Sequence, residues 1–170
     1  MNKRRIDTLL IQISHGDNNA FAELYEGTKR GVFSFVYSYY KKYEDAEDAM
    51  QTAYLKIKLN INQYKHGTDG RAWILQIAKN IAINDINRNK RLVYTDDIEV
   101  RDDIKLPDGI TDVMKRVLTE EELYIVNLHV LWGYKHREIA KELDCPTGTV
   151  TSKYKRSIEK LKIALKEGEQ

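Results

Sequence analysis

Apolar residues recur at three- and four-residue spacing along most of this 170-residue chain, which is the pattern of amphipathic α-helices. Polar breaks separate the repeats. The apolar stripes lie within 6–13, 21–40, 46–57, 73–86, 112–131 and 139–165. With only 2 prolines and 9 glycines in the whole chain, few residues interrupt helices. The pattern therefore predicts an all-α fold.

Residues 93–111 interrupt this pattern with acidic and helix-breaking residues. The segment contains six carboxylates together with Pro107 and Gly109, the acids being Asp96, Asp97, Glu99, Asp102, Asp103 and Asp108. Loops of this length without structure are uncommon inside a compact domain. We therefore predict two small helical domains, 1–92 and 112–170, joined by an acidic linker over 93–111.

Net charge gives little guidance, because 28 basic and 26 acidic residues leave a formal charge of only +2. A global basic field for nucleic acid is thus excluded, and the local distribution of charge matters more. Cys145 is the single cysteine, which excludes an internal disulfide and a cysteine zinc site and agrees with a reducing compartment. No apolar run approaches a membrane span, and the N-terminus resembles no secretory signal. We expect a cytoplasmic protein without membrane insertion.

The C-terminal part contains two helical segments joined by a very short turn. The first is 135–143, the second runs from Thr147 to about Leu165, and Asp144-Cys145-Pro146 lies between them. Asp tolerates the left-handed conformation that ends a helix, and Pro is acceptable only in the first turn of the next one. This arrangement matches the helix-turn-helix that enters the DNA major groove. A plain helical hairpin with a solvated lysine-rich face is the alternative.

Hydroxyl groups and cations cover the polar faces of the second segment. Its apolar stripe is predicted to be Val150, Tyr154, Ile158, Leu161 and Leu165. Small side chains that can bond phosphates suit a helix end entering a groove. The candidate DNA contacts are Thr147, Thr149, Thr151, Ser152, Lys153, Lys155 and Arg156.

Four carboxylates stand within five residues at the start of the predicted helix 44–57, at Glu44, Asp45, Glu47 and Asp48. Three interpretations remain open. Negative charge is favoured at a helix N-terminus by the helix dipole. A di-metal site needs Glu-x-x-His pairs on facing helices, and Met50 follows Glu47 at that spacing. The third interpretation is a docking surface for a basic partner.

The predicted helix from Arg71 to about Asn89 follows a polar loop, 60–70. Its expected inner face is Trp73, Ile74, Ile77, Ala78, Ile81 and Ile86. The opposite side aligns Asn80, Asn84, Asn87, Arg88 and Arg91, with Asp85 as the only acid between Arg71 and Arg91. Amides and cations without acids to pair them suit a nucleic-acid backbone. An ordinary exposed face is the alternative.

Several motifs occur in an order that resembles bacterial sigma factors. They are Phe21 to Leu24, Asp45-Ala-Glu-Asp-Ala-Met-Gln51, Trp73-Ile-Leu-Gln-Ile-Ala-Lys-Asn80 and Gly148-Thr-Val-Thr-Ser152. The chain resembles the extracytoplasmic-function (ECF) group of the sigma-70 family, which keeps only domains two and four. The resemblance implies a non-catalytic promoter-specificity subunit that needs no cofactor or metal. It also implies core RNA polymerase, promoter DNA and an anti-sigma factor as partners.

In that family the acidic segment binds the clamp helices of the large catalytic polymerase subunit. The resemblance therefore assigns core binding to Asp45, Glu47, Asp48 and Gln51, although Thr52 departs from the Glu often found next. It assigns opening of the −10 element to the loop 60–70, which is expected to hold a flipped base. The accompanying contacts are Asn80, Asn84, Arg88 and Arg91.

The resemblance places the second helix of the helix-turn-helix at the −35 element. Ser152, Lys155 and Arg156 are then candidates for contacts with base edges. The candidates for phosphate contacts are Thr147, Thr149, Thr151 and Lys153. Two residues depart from the family. Lys135 replaces a common Ser cap, and Lys153 replaces a common Arg, losing its fork geometry. The linker resembles the connector that threads toward the polymerase active site.

Two other functions compete with this one. A free-standing helix-turn-helix regulator predicts duplex binding at a palindromic site without polymerase. A metal-dependent helical enzyme built on Glu47 and Asp48 lacks suitably spaced histidine and carboxylate partners.

Overall fold

The computed structural model describes residues 1–40, 42–92 and 109–167, which form eight α-helices and no β-strand. The helices are α1 (Lys3–Ser14), α2 (Asn18–Tyr37), α3 (Tyr43–Leu59), α4 (Gly70–Leu92), α5 (Gly109–Val117), α6 (Glu120–Val126), α7 (His136–Glu142) and α8 (Thr147–Glu167). A 3₁₀ turn, Ile61–Gln63, follows α3, and a π turn, Asn127–Leu131, follows α6. The all-α prediction is confirmed.

The chain divides into two compact units, Met1–Lys105 and Leu106–Gln170. Residues 93–108 lie outside the described part, so the acidic linker over 93–111 stays a prediction. Helix α5 begins at Gly109, three residues before the expected start of the second domain. None of the described helices is long and apolar enough to cross a membrane.

Local signals position the helix ends. Gly16 adopts φ +90° after α1, a conformation that glycine reaches without steric cost. Asp17 then caps α2, its Oδ1 accepting from the backbone N–H groups of Asn19 at 2.9 Å and Ala20 at 3.1 Å. In the second unit Thr119 and Glu122 form a capping box at α6. Caps of this kind depend on neighbouring residues only.

Helices α1 to α4 pack into the first unit, with α2 in contact with the other three. Each helix buries one stripe, including Ile6, Leu9, Leu10, Leu24, Val32, Phe35, Val36, Ala53, Ile57, Ile74 and Ala78. Trp73, Ile77 and Ile86 were expected inside but are only partly buried. Leu75 and Ala82 are buried although they were not expected inside, so the inner face of α4 differs from the predicted one in these positions.

The segment before α4 is tied to α1. Asp7 accepts a hydrogen bond from the Gly70 N–H at 2.8 Å and another from the Tyr64 hydroxyl at 3.1 Å. Ile61 and Tyr64 are buried, which the prediction of a polar loop over 60–70 missed. Burial, followed by the bond to Asp7, raises the pKa of Tyr64 to about 12. The start of α4 is thus held by a residue from the start of the chain.

A small ion cluster lies beside this junction. The Arg71 side chain is buried and donates to Asp69 Oδ2 at 2.9 Å, and Lys3 Nζ lies 3.2 Å from the same oxygen. Burial by itself raises the pKa of Asp69, but the hydrogen bonds from Arg71 and Lys3 outweigh it and lower the pKa to about 2. The carboxylate therefore stabilises the fold only while it is ionised.

The second unit has its own core around α8. Met114, Leu118, Leu123, Val126 and Leu161 form one buried cluster. Helix α8 contacts α5, α6 and α7, and Lys160 Nζ lies 2.7 Å from Glu122. Leu165 was predicted in the apolar stripe of α8 but is exposed. Ser157 was not predicted inside but is fully buried.

We predict that Gly70→Ala destabilises the first unit by about 1–3 kcal/mol. A Cβ added at Gly70 lies 2.7 Å from both Asp7 Oδ1 and Leu10 Cδ1, so the Asp7 carboxylate must shift and its hydrogen bonds weaken. Gly148→Ala is the matched control, because a Cβ there meets nothing within 4 Å and alanine favours helix by up to about 1 kcal/mol. Amide hydrogen exchange measured by mass spectrometry separates the two units. Unchanged protection of α1 and α4 in Gly70→Ala contradicts the prediction.

We predict that Asp69→Asn lowers the stability of the first unit at pH 7 by up to about 2 kcal/mol. Because the pKa of Asp69 is depressed to about 2, the carboxylate contributes fully above pH 4 and loses its contribution as pH falls toward 2. Urea unfolding of wild type and variant, compared between pH 7 and pH 3, measures this difference. If the difference in free energy of unfolding between wild type and variant is larger at pH 3 than at pH 7, the assignment is contradicted.

Candidate docking and nucleic-acid-binding surfaces

The predicted acidic residues lie together on the outer side of α3. Ala46, Ala49, Met50, Ala53, Tyr54 and Ile57 form the buried side of this helix. The exposed side carries Glu44, Asp45, Glu47, Asp48 and Gln51. The structure therefore brings all four predicted core-binding residues onto one helix with their side chains in solvent.

The helix dipole accounts for part of this cluster only. Glu44 and Asp45 lie in the first turn of α3, where negative charge is stabilising, but the effect falls off beyond that turn. Glu47 and Asp48 come later. Neither makes a hydrogen bond or an ion pair with any described residue. Their charges remain available to a partner.

Two leucines extend this surface and were not predicted. Leu55 is 58% exposed and Leu59 is 71% exposed. They follow Asp48 by seven and eleven residues, which places them on the same side of the helix. Both leucines fall outside the helical spacing of the buried stripe at Ala53 and Ile57, and this departure could have indicated their exposure from the sequence. We call Glu44, Asp45, Glu47, Asp48, Gln51, Leu55 and Leu59 the α3 outer face.

Helix α4 presents amide groups on its outer side. Asn80 and Asn84 are exposed, and Gln76 Nε2 donates to Asn80 Oδ1 at 2.8 Å. Arg88 is exposed as well. Arg91 belongs to α4, but its side chain lies outside the described part. Three of the four predicted −10 contacts are therefore on the surface of one helix.

The expectation that no acid pairs the cations of this helix is wrong. Arg71 is buried against Asp69, as described above, and Arg88 lies 3.8 Å from Asp85. Asp85 also accepts from the Tyr40 hydroxyl at 2.8 Å, and burial followed by this bond raises the pKa of Tyr40. Asp85 thus connects Arg88 to the segment that follows α2. The outer side of α4 carries more amide groups than charges.

The turn between α7 and α8 has the predicted form. Asp144 adopts φ +49°, and the Cys145 N–H donates to the Ala140 carbonyl at 3.0 Å. Pro146 directly precedes α8, and its carbonyl accepts from the Thr149 N–H at 3.0 Å. A single left-handed residue therefore reverses the chain between the two helices.

Helix α7 begins without a side-chain cap from Lys135, because an ammonium group has no acceptor. The Glu138 carboxylate accepts from the Lys135 backbone N–H at 2.7 Å instead. One half of a capping box is present and the other is missing.

The seven candidate residues of α8 fall into two groups. Five are exposed, namely Thr147, Thr149, Ser152, Lys155 and Arg156. Lys155 and Arg156 have no hydrogen-bond or ion-pair partner within the described residues. Lys153 is partly buried and paired with Glu121 of α6. Thr151 is partly buried, and its Oγ1 donates to the Thr147 carbonyl at 3.0 Å.

No group of three or more His, Cys, Asp or Glu side chains that could hold a metal ion occurs in the part of the chain that the structure describes.

Family models match both units. The model described as Sigma-70 region 2 matches residues 24–92, and that described as Sigma-70, region 4 matches residues 112–161. Among curated proteins, the ECF RNA polymerase sigma factor SigW of Bacillus subtilis is 24% identical, with 98% of each chain covered. The ECF RNA polymerase sigma-E factor of Escherichia coli K12 is 25% identical, with 94% of each chain covered.

Solved structures share the fold. The sigma factor RpoE from Bartonella quintana, in complex with the anti-sigma factor NepR, aligns with a TM-score of 0.65 at 19% identity, over 88% of this chain and 98% of that one. CnrH, in complex with the cytosolic domain of CnrY, aligns with a TM-score of 0.59 at 18% identity, over 96% and 98%. Together with the two family matches, these relatives show that the chain belongs to the ECF group of the sigma-70 family, the RNA polymerase sigma factors that direct promoter-specific initiation of transcription.

Proposed function

We propose that this sigma factor docks on core RNA polymerase through the α3 outer face and contacts one promoter element with each unit. The observation that carries the proposal is the composition of that face. Unpaired carboxylates and two exposed leucines lie opposite the buried stripe, where they contribute nothing to the core. Such a surface has a role only when a partner covers it.

The two kinds of side chain on the α3 outer face act differently in docking. Covering Leu55 and Leu59 removes apolar surface from water, which contributes on the order of 1–2 kcal/mol each. The carboxylates of Asp45, Glu47 and Asp48 favour a basic partner surface, and complementary charge raises the association rate and fixes the register. Gln51 adds an amide that can donate and accept at the centre of the face.

The outer side of α4 suits a single DNA strand at the −10 element. Asn80 and Asn84 supply donors and acceptors for base edges and sugars, while Arg88 and Arg91 supply charge for phosphates. The pairing of Arg88 with Asp85 reduces its net charge, which favours a weakly charged single strand over a duplex. Extruding a base costs a few kcal/mol, and pocket contacts and stacking offset that cost.

The exposed start of α8 suits the major groove at the −35 element. Ser152, Lys155 and Arg156 are the proposed base contacts, and a bidentate Arg–guanine pair contributes about 1–3 kcal/mol of discrimination. Thr147 and Thr149 lie at the helix N-terminus, where hydroxyl and backbone N–H groups bond phosphates. Thr151 and Lys153 lie at the edges of this surface, and their partners within the unit limit them to a supporting phosphate role.

Core polymerase makes the two weak DNA contacts act together. Fixing both units on one large partner raises the effective concentration of the second contact once the first has formed. The chain itself is non-catalytic in this proposal, acts in the cytoplasm, and uses the acidic residues before α5, 93–108, as the connector. An anti-sigma factor is a further proposed partner, since the related sigma factor RpoE was solved with one.

We predict that Asp48→Ala and Leu55→Ala each weaken binding to purified core polymerase by about tenfold, or roughly 1.4 kcal/mol. Each change removes one type of contact from the α3 outer face without touching the core of the unit. Glu120→Ala is the control, because Glu120 is an exposed acid in the other unit. Fluorescence titration of labelled chain with core polymerase measures the affinity. Wild-type affinity in both variants contradicts the docking assignment.

We predict that Arg156→Ala reduces run-off transcription from promoters bearing the cognate −35 element by about tenfold, with core binding unchanged. Arg156→Lys restores only part of the activity, because lysine lacks the planar fork. Lys162→Ala is the control, since it removes an exposed cation farther along the same helix. Equal losses in Arg156→Ala and Lys162→Ala indicate charge alone and contradict base contact by Arg156.

A further inference from the structure

Three aromatic rings meet in the second unit where α7 packs against α8. His129 lies in the π turn, His136 is the first residue of α7, and Tyr154 belongs to α8. Their ring centroids are 4.4 Å apart for the two histidines, 4.6 Å for His129 and Tyr154, and 5.0 Å for His136 and Tyr154. We call these residues the ring cluster. It joins the two helices of the helix-turn-helix to the segment before them.

Hydrogen bonding determines the tautomer of His129. Its Nδ1 lies 2.7 Å from the Tyr134 carbonyl oxygen, and a carbonyl oxygen can only accept. Nδ1 must therefore carry the hydrogen. In the neutral ring the Nε2 atom then has the lone pair.

The same reasoning applies to His136. Its Nδ1 lies 3.0 Å from Thr151 Oγ1, and that hydroxyl group is also 3.0 Å from the Thr147 carbonyl oxygen. The carbonyl can only accept, so when it takes the single hydroxyl hydrogen, Oγ1 offers its lone pairs to the ring. Nδ1 of His136 is thus the donor, and the bond connects α7 directly to the second turn of α8.

Burial at the other side of the ring supports this tautomer. Nε2 of His136 is buried and has no hydrogen-bond partner within the described residues. An unpaired buried N–H is rarer and more costly than an unpaired acceptor. A hydrogen on Nε2, in the other tautomer or in the imidazolium, would be such an orphan donor. Neutral Nδ1–H is therefore the form that fits.

The surrounding charges do not favour an imidazolium at His136. Burial, and then the neighbouring His129, lower the pKa of His136. The carboxylates on adjacent elements have other partners, since Glu138 accepts from the Lys135 N–H and Glu121 pairs with Lys153. The remaining charged side chains nearest to His136 and Thr151 along the chain are the cations Lys135, Arg137 and Lys155.

We propose that His136 is the positioning residue of α8. Its neutral ring packs against His129 and Tyr154 and holds Thr151 by a hydrogen bond, which orients the start of the helix proposed to contact DNA. Uptake of a proton at Nε2 releases this hold on Thr151. The effect on DNA rests on the proposed function of α8, whereas the hold on Thr151 does not. The exposed Ser152, Lys155 and Arg156 follow Thr151 by one to five residues, so their direction depends on it.

The direction of the pH effect follows from the tautomer. The folded unit keeps His136 neutral, and the released ring regains an ordinary pKa near 6.5. The released form therefore binds more protons, and the hold is complete above about pH 6.5 and weakens as pH falls below it. One ordinary imidazole, taken from pH 8 to pH 6, shifts this equilibrium by up to about fourfold.

Nitrogen NMR on the full chain with ¹⁵N-labelled histidine tests the hold directly. The chain has four histidines, and His15 and His66 are exposed, so they serve as internal references. At pH 8 we expect His129 and His136 as Nδ1–H tautomers, and on acidification we expect His136 to protonate at lower pH than the references. Thr151→Val should change the tautomer balance of His136 and leave that of His129. Nε2–H at His136, or protonation together with the references, overturns the proposal.

Transcription by the reconstituted holoenzyme tests the consequence. His136→Asn places an amide donor near the position of Nδ1 but cannot titrate, and His136→Phe keeps a ring without the donor. We expect the ratio of wild-type to His136→Asn transcription on a −35 promoter to fall by up to about fourfold from pH 8 to pH 6. His136→Phe should be reduced at both pH values while core binding persists. A constant ratio, with His136→Phe as active as wild type, overturns the positioning role.

The two experiments separate this proposal from the function on which it rests. If Arg156→Ala leaves transcription unchanged but the NMR tautomers are as expected, the assignment of α8 to DNA fails and the hold on Thr151 stands. If Arg156→Ala is defective but His136 shows the Nε2–H tautomer, the DNA assignment stands and His136 has no positioning role.

Discussion

A short amphipathic helix can bury only one of its sides, and this constraint underlies every surface described above. In each unit the core takes one stripe from each helix and leaves the opposite stripe in water. The α3 outer face lies opposite Ala53 and Ile57, and the amides of α4 lie opposite Ile74 and Ala78. Packing therefore determines in which direction each functional side chain points, before any partner is present.

A small unit buries few residues, so its apolar core alone does not hold the loops between its helices in position. The first unit solves this with polar contacts from α1, where Asp7 bonds the start of α4 and Lys3 supports the ion pair of Asp69 with Arg71. The second unit uses aromatic rings and the Glu122–Lys160 pair around α8. Both solutions fix the start of a helix that carries candidate DNA contacts.

Sequence patterns predicted what depends on neighbouring residues. The helical pattern and the left-handed Asp144 both arise within a few residues. The resemblance supplied the family and the role of each candidate residue. The structure puts the side chains of all candidates except Arg91, whose side chain lies outside the described part, on or at the edge of a surface. Assignment of those residues to particular DNA and polymerase contacts stays a prediction.

What escaped prediction depends on residues far apart along the chain. Asp7 and Gly70 are separated by 63 positions, and nothing in the sequence near Tyr64 or Ile61 indicates that a helix from the start of the chain covers them. The partners of Lys153 and of Arg88 escaped for the same reason, since pairing is decided by which helices pack together. Leu55 and Leu59 differ, because their mismatch with the buried stripe was visible in the sequence.

If Lys153 contacts a phosphate as proposed, its pair with Glu121 makes α6 an internal competitor of DNA. A carboxylate already neutralises this lysine, so a phosphate must displace Glu121 before it gains the ammonium group. The released Glu121 then needs counterions of its own, and the usual gain from counterion release at one phosphate, a slope of about 0.9 in log affinity against log salt, is largely cancelled. In the proposed complex Lys153 therefore adds little to the attraction for arbitrary DNA, and the unpaired Lys155 and Arg156 supply more of it.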